Sequence, residues 1–339
     1  MMKAAVIEDK GNPVLIREVP DPEPGPEEVV VAVRAAALNH RDVWIQKGLY
    51  AGLRYPIIVG SDGAGVVAEV GAEVDRGLVG KEVILNPSHH WGEDERAQSA
   101  AFKILGLPEN GTLAELVKVK AQYVVSKPAH LTFEEAAALP LAGLTAYRAL
   151  FKRANLQPKE KLLITGIGGG VASLSLQFAV SQGAEVYVTS SDNNKIQEAK
   201  DRGAKGGANY KEEGWVEKLK EQAGNFAVLL DSAGGEGFAD LLELAAPGGR
   251  IAVYGATRGN LKNLPTRKIF WKQLSILGST MGSEADFAEM IAYVEQHQLK
   301  PIIDHVFPLE EAEAAFRRMD EGEQFGKIII KVEDEGKMA

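Results

Sequence analysis

The sequence predicts an α/β protein in two parts, an all-β, barrel-like segment and a doubly wound parallel sheet. Three observations predict it. Residues 1–127 set short β-branched runs between Gly- and Pro-rich turns. From Lys161 onward, strand-like and helix-like stretches alternate, the pattern that crossover helices impose on parallel strands. The chain has 339 residues, more than one ordinary core organises, so two domains are the natural division.

The elements follow in order. "KAAVIE", "VLIREV" and "EEVVVAVRAAAL" are apolar and β-branched, hence strands. "PDPEPGPEE" is too rich in proline to be anything but a connecting loop. "YPIIVGSDGAGVVAEVGAEV" and "KEVIL" continue the all-β pattern, and 88–110, "SHHWGEDERAQSAAFKILGLPEN", reads as a polar surface excursion. "LTFEEAAALP" carries Thr132 and Glu135 in capping-box spacing, so a helix starts at Thr132. Five strands follow, "KLLIT", "AEVYVTS", "GGANY", "NFAVLLD" and "GRIAVYG", and "LSILGST" at 274–280 makes a sixth. The tail reads as a helix over 284–297, a strand "IIDHVF", a helix over 309–320 and a strand "KIIIKV".

Composition excludes several function classes. Net charge is 38 − 47 = −9 with no basic block, which disfavours a nucleic-acid partner. There are no cysteines, so disulfides, thiolate nucleophiles and cysteine-based zinc sites are out. The start, "MMKAAVIEDKGN", lacks an apolar signal core, so cytoplasm is the expected compartment. No apolar run approaches the roughly 18 residues that cross a bilayer, and no membrane partner is expected.

The most informative stretch is "LLITGIGGGVASLSLQFAVSQG". A buried strand runs into glycines and then into a helix, the setting a dinucleotide fingerprint needs. Gly166, Gly169 and Gly170 allow a tight turn and close approach of a pyrophosphate. Val171 opens the helix, whose first N–H groups face the phosphates. Ala172 stands at the third glycine position, which the pattern permits. The next strand ends "VYVTSSDNNK". An NAD site usually holds a carboxylate there, but Ser190 and Ser191 occupy the place and Lys195 lies a helical turn on. A carboxylate beside a 2′-phosphate would cost about 4 kcal/mol per unit charge at intermediate dielectric. The serines remove that penalty, and NADP(H) is the expected cofactor. Asp192 argues the other way, since turned inward it would accept a ribose hydroxyl.

Six segments, "LNHRDVWIQKGLY", "PIIVGSDGAGVVAEVG", "LPLAGLTAYRAL", "LLITGIGGGVASLSLQFA", "APGGRIAVYGAT" and "FGKIIIKV", together resemble the medium-chain dehydrogenase/reductase superfamily over nearly the whole chain. The resemblance implies a GroES-like β-barrel catalytic domain, 1–127 with 281–339, and a Rossmann dinucleotide-binding domain, 128–280. In the zinc alcohol dehydrogenases of that superfamily, Cys, His and Cys hold the catalytic metal, and the matching positions here are Asn39, Ser61 and Ala142. The structural-zinc lobe matches 88–110, which has no cysteine, so no zinc is expected. His89 and His90 are adjacent, without paired-ligand spacing, and read as loop residues.

What remains resembles the zinc-independent quinone oxidoreductase branch, where Asn replaces the cysteine and "GSD" stands in this place. That branch is NADPH-dependent, and Lys195 and Tyr210 match its phosphate-holding positions. Trp44 departs from it, standing where the branch usually carries a tyrosine. Without a metal, hydrogen-bond donors must stabilise the oxyanion, so Asn39 is the expected amide donor, Tyr50 a donor from the pocket wall and Trp44 an apolar face for a flat ring. Arg41 would steady a substrate oxyanion or cofactor phosphates, Asp42 would orient its neighbours, and His40 would contact pyrophosphate. Asp62 would keep a structural hydrogen bond. Thr145 matches a nicotinamide contact, Gly255 and Ala256 border the cofactor, and Ser279 to Met281 match the carboxamide site. Lys327 would reach a cofactor phosphate. The implied activity is hydride transfer from NADPH to a quinone or α,β-unsaturated carbonyl, by a homodimer. An alcohol or aldehyde dehydrogenase, an acyl-thioester reductase and an NADPH-binding protein with little turnover stay open as alternatives.

Overall fold

The computed structural model describes residues 1–262 and 264–332. The chain divides into two compact units, residues 1–144 with 282–339 and residues 145–281. The first opens with β1 (Met2–Ile7), β2 (Leu15–Val19), β3 (Glu28–Ala37), α1 (His40–Gln46), β4 (Ile57–Ile58), β5 (Asp62–Val70) and β6 (Glu82–Leu85). It continues through β7 (Ser88–His89), β8 (Lys103–Ile104), β9 (Leu116–Lys120), β10 (Val124–Ser126), α2 (Phe133–Ala137) and α3 (Pro140–Tyr147). The second unit holds β11 (Lys161–Ile164), α4 (Gly170–Ser181), β12 (Glu185–Ser190), α5 (Asn193–Asp201), β13 (Gly206–Asn209) and α6 (Trp215–Ala223). It closes with β14 (Phe226–Asp231), α7 (Phe238–Leu244), β15 (Ala245–Val253), α8 (Thr266–Trp271) and β16 (Ser275–Gly278). The return to the first unit is α9 (Glu284–Gln296), β17 (Ile303–Pro308), α10 (Ala312–Glu321) and β18 (Lys327–Lys331).

The α/β expectation holds in both parts. In the second unit six parallel strands run in the order β13-β12-β11-β14-β15-β16. The order reverses on either side of β11, and a doubly wound sheet takes its ligand at such a switch point. The first unit is mainly β, joined by α9 and α10 of the return segment, with one sheet ordered β10-β6-β5-β3-β18-β17, β9 pairing β3 beside it, and another ordered β2-β1-β4. Val29, Val31 and Val33 of β3 bury into its core with Ile328 and Ile330 of β18. The cap read at Thr132 is present in both directions, Glu135 N to Thr132 Oγ1 and Thr132 N to Glu135 Oε2. The stretch 128–144 packs in the first unit, where the Leu141 N–H donates to Asp62.

Strand register decides where the polar residues go. β3 is antiparallel to β5 with Ala37 opposite Asp62, and antiparallel to β18 with Ala37 opposite Ile329. Three segments far apart in sequence therefore end together at the last residue of β3. The approach of β3 and β5 is close enough to need Gly65, since a Cβ there would lie 2.0 Å from the Ala32 carbonyl oxygen.

The 88–110 segment departs from the surface excursion read from its polarity. β7 and β8 pair across it, and His89 and Trp91 are buried. The Ser88 hydroxyl donates to the Gly282 carbonyl, and the Ser283 hydroxyl donates to Glu95. The His89 ring stacks on Tyr123 at 3.9 Å, with Nε2 3.1 Å from the Asn86 carbonyl. Polarity misled the sequence reading because a histidine or tryptophan buries readily once its ring nitrogen finds a carbonyl.

Burial pushes His89 down to about 4 from the ordinary 6.5. A neutral ring in the folded state that charges when unfolded adds stability above about 6.5, lost as pH falls from there toward about 4. The loss expected is about 3 kcal/mol. Urea unfolding of wild type and His89→Gln across this range checks it, since the glutamine variant should lack that acid-dependent part.

Candidate active site

The end of β3 carries a buried polar cluster. Lys327 is 2% exposed and Asp62 is 0% exposed. The Lys327 ammonium donates to Asp62 Oδ2 at 2.9 Å, to Asn39 Oδ1 at 2.8 Å and to the Leu38 carbonyl at 2.8 Å. Those are all three of its N–H groups. The sequence offers Lys327 as a cofactor-phosphate ligand; in the structure every donor it has goes to protein. Asp62, read as keeping one structural bond, accepts from Asn39 Nδ2 at 2.9 Å, from Lys327 and, through Oδ1, from the Leu141 N–H at 2.7 Å. The last bond places a carboxylate at the first turn of α3, where it meets the positive end of the helix dipole.

These bonds settle which way the Asn39 amide faces. Its carbonyl takes the lysine and one amide N–H takes the carboxylate, so one N–H stays uncommitted. Asn39 also caps α1 through its backbone N–H, which donates to Asp42 Oδ2 at 2.8 Å. Asp42 is fully buried, with Oδ1 3.3 Å from the Gly60 N–H. Burial raises its carboxyl above the usual carboxylate range.

Arg41 lies in the same cluster and is 7% exposed. Its Nη1 donates to Ser61 Oγ at 2.6 Å and to the Leu105 carbonyl at 2.8 Å. The Ser61 hydroxyl donates to that carbonyl as well. The guanidinium lies over the Tyr50 ring, 5.1 Å from its centroid. Arg41 Nε is buried and has no partner. Tyr50 and Trp44 are half-buried, and His40 begins α1 exposed to solvent.

The donor set does not fit zinc. Tetrahedral zinc takes three or four thiolate, imidazole or carboxylate ligands. The positions matched to those ligands hold an amide, a hydroxyl and a methyl group, Asn39, Ser61 and Ala142. The first accepts from the Lys327 ammonium and the second from the Arg41 guanidinium, so a dication there would face two buried cations. Among the described residues no three His, Cys, Asp or Glu side chains converge as a metal site.

The second unit brings the cradle residues together. Gly166 has φ +63° and a Cβ added there meets nothing within 4 Å, nor does one at Gly169, the N-cap of α4. The first turn bond of α4 is Ser173 N to Gly169 O, which leaves the N–H groups of Gly170, Val171 and Ala172 ahead of the ladder. Gly166 N donates to Thr189 Oγ1, and Ile167 N to the Thr189 carbonyl, tying the loop to β12. Ser190 is buried at the end of β12 and Ser191 follows. Asp192, the counter-candidate, N-caps α5 by accepting from Asn194 N at 2.8 Å. Lys195 sits in the first turn of that helix. The Thr145 hydroxyl approaches Met281 Sδ at 3.9 Å, and Met281 itself has φ +43°. The Ser279 hydroxyl is buried with no partner. Room at the glycines and an orphaned hydroxyl at Ser279 fit a bound dinucleotide.

Arg258 escaped the sequence reading. It follows Gly255 and Ala256, and its guanidinium donates to Tyr210 Oη at 3.2 Å and lies 4.9 Å from that ring's centroid. No local motif marks it, because its partner is 48 residues away. The Lys327–Asp62 link spans 265 residues and is silent in sequence for the same reason.

Comparison with known proteins adds the following. A family model described as "Alcohol dehydrogenase GroES-like domain" matches residues 25–129, and one described as "Zinc-binding dehydrogenase" matches residues 170–296. The chain is 35% identical to the zinc-type alcohol dehydrogenase-like protein YogA of Leptosphaeria maculans, across 94% of this chain and 95% of that protein. A crystal structure of an NAD-dependent alcohol dehydrogenase superposes with a TM-score of 0.93 at 37% identity, covering 98% of this chain and all of that one. The 2-octenoyl-CoA carboxylase reductase CinF, solved with NADP and 2-octenoyl-CoA, superposes with a TM-score of 0.90 at 26% identity over 99% of this chain and 89% of its own.

Breaking the buried pair leaves a charge without its partner. Lys327→Met is expected to cost about 3–5 kcal/mol of stability in urea unfolding. Adding Asp62→Leu should recover part of that loss, because no charge is then left unpaired. A single-variant loss below about 1 kcal/mol would mean the pair does not hold this site together.

Proposed function

The chain belongs to the medium-chain dehydrogenase/reductase superfamily of oxidoreductases, and from that premise we propose that it is a zinc-independent, NADPH-dependent reductase of quinones or α,β-unsaturated carbonyls. The observation that carries this reading is the pair of buried cations bonded to Asn39 and Ser61, where zinc relatives hold their metal. A Lewis-acidic metal contributes several kcal/mol toward a developing oxyanion. Hydrogen-bond donors in an enclosed site contribute about 3 kcal/mol each. Conjugated substrates lessen the demand, because charge delocalises onto an enolate or hydroquinone oxygen. That is why a metal-free site suits them better than simple ketones. An α,β-unsaturated thioester belongs to the same chemical class, and the relative solved with 2-octenoyl-CoA favours including it.

A bound reduced nicotinamide supplies the hydride. Asn39 offers its uncommitted amide N–H to the substrate oxyanion. The lysine on its carbonyl polarises the amide and strengthens that donor. Tyr50 offers a hydroxyl from beside Arg41, and Trp44 a flat apolar face. Asp42 anchors Asn39 through the backbone, and His40 is the loop's candidate for the cofactor pyrophosphate. Water supplies the proton. Gly166, Gly169, Gly170 and Val171 cradle the diphosphate, Thr145, Ser279 and Met281 border the nicotinamide, and Gly255 with Ala256 borders the cofactor. Ser190, Ser191, Lys195, Tyr210 and Arg258 form a carboxylate-poor, cationic setting for a 2′-phosphate, with Asp192 committed to its helix cap.

A homodimer accompanies this reading. β16 is an edge strand of the parallel sheet, and Ile276 within it and Phe270 and Trp271 of the preceding α8 are exposed, Trp271 at 78%. An apolar edge of this kind invites pairing with a second copy. No helix among the described residues is long and apolar enough to cross a membrane.

NADPH and NADH oxidation by chelator-treated protein tests the function. The panel holds a quinone, an enone, an alkenal, an enoyl thioester and a saturated aldehyde. NADPH-selective turnover of the conjugated members that survives chelation is the expected result. Turnover of the saturated aldehyde that chelation abolishes would overturn it. Tight NADPH binding without turnover would favour a binding protein. Lys195→Glu should raise KM for NADPH about tenfold or more and leave KM for NADH nearly unchanged; equal effects would reject the NADP(H) assignment. Light scattering at micromolar concentration should give a dimer mass.

A further inference from the structure

Arg41 is committed on one side only. Both of its protein hydrogen bonds leave from Nη1. Nε is buried without a partner, and among the described residues no bond leaves from Nη2. Among the described residues no carboxylate lies within ion-pair distance, and the nearby Asp42 gives its oxygens to the backbone N–H groups of Asn39 and Gly60. Nε and Nη2 form the side edge of a guanidinium, two parallel N–H groups that match the two oxygens of a carboxylate. Ser61 and Leu105 hold the opposite end, and the Tyr50 ring covers the face, so the free edge has a fixed direction. A buried guanidinium with no carboxylate in hydrogen-bonding reach is costly, and this one is positioned for an anion that arrives from outside.

We propose that the free edge of Arg41 binds a carboxylate on the substrate, so that this reductase prefers conjugated carbonyl compounds carrying an acid group. The proposal rests on the conjugated-carbonyl reading and narrows it. The shared chemistry is a pair of anionic oxygens, which a cofactor diphosphate also carries. The site commits to the substrate because Arg41 belongs to the same unit as Asn39, the donor offered to the substrate, whereas the glycines offered to the diphosphate belong to the other.

The matched pair 4-oxo-2-pentenoate and its methyl ester tests it, with the saturated acid 4-oxopentanoate as a calorimetric probe that needs no turnover. Wild type should show kcat/KM roughly tenfold to a hundredfold higher for the acid. Arg41→Gln should abolish that ratio and the binding of 4-oxopentanoate. Arg41→Lys, keeping charge but losing the planar fork, should restore the ratio only in part. Equal kcat/KM for acid and ester, with 4-oxopentanoate unbound, would overturn the proposal and leave the conjugated-carbonyl reading intact. Arg41-dependent binding of 4-oxopentanoate with no turnover of either compound would support the site and reject the reductase reading. Weaker calorimetric NADPH binding by Arg41→Gln, with 4-oxopentanoate binding unchanged, would assign the anion to the cofactor and overturn the proposal. Arg41→Lys also guards against misfolding, since it keeps the buried cation.

Discussion

The polar site of the first unit depends on one buried ion pair, Lys327 with Asp62. Two charges removed from water are costly, and their attraction compensates only where every remaining donor and acceptor is satisfied. Here that condition is met: the ammonium spends all three N–H groups and the carboxylate accepts three bonds. The pair ties together the end of β3, the start of β5, the start of β18 and the first turn of α3. It also orients the Asn39 amide, which by itself has two nearly equivalent faces. An apolar replacement of similar volume could hold the strands as well, but it could not choose between those faces.

The same constraint explains why the metal-ligand positions hold other groups. A zinc site concentrates negative or electron-rich ligands around a dication. This cluster has its cations built into the chain, at Lys327 and Arg41, with Asp62 and Asp42 as the facing carboxyls. The two cations differ in kind. Lys327 is closed, with its bonding capacity exhausted within the protein, and it acts on its surroundings by fixing them. Arg41 has Nε without a protein partner, and a guanidinium held at its other end by Ser61 and Leu105 keeps that edge in place without rearrangement. Preorganised donors of this type stabilise charge most effectively, because no reorientation is needed when the charge develops.

The cofactor unit follows a different logic. Its cradle is made by backbone: glycines without side chains and N–H groups not yet used by a helix. Side chains enter at the rim, where, under the NADP(H) proposal, Ser190, Asp192 and Arg258 would set which charge is tolerated. At Asp192 the local structure claims one carboxylate oxygen, Oδ1. As an N-cap it already accepts a backbone N–H, which Asp does readily at that position.

Local pattern determined the sheet architecture, the helix start at Thr132, the glycine turn ahead of α4 and the residue types at the end of β3. Those features depend on periodicity, capping and glycine placement within a few residues, which a linear reading sees directly. The burial of His89 and Trp91 in a polar stretch, the Tyr210–Arg258 contact and the closing of Lys327 onto Asn39 and Asp62 were decided only by the tertiary structure. Each joins residues brought together by strand register or chain crossover. Lys327 shows the difference most clearly. From sequence it is a strand-end lysine with an equal claim to water or phosphate. Only the antiparallel register of β18 on β3, and of β3 on β5, puts its ammonium beside a buried carboxylate 265 residues away.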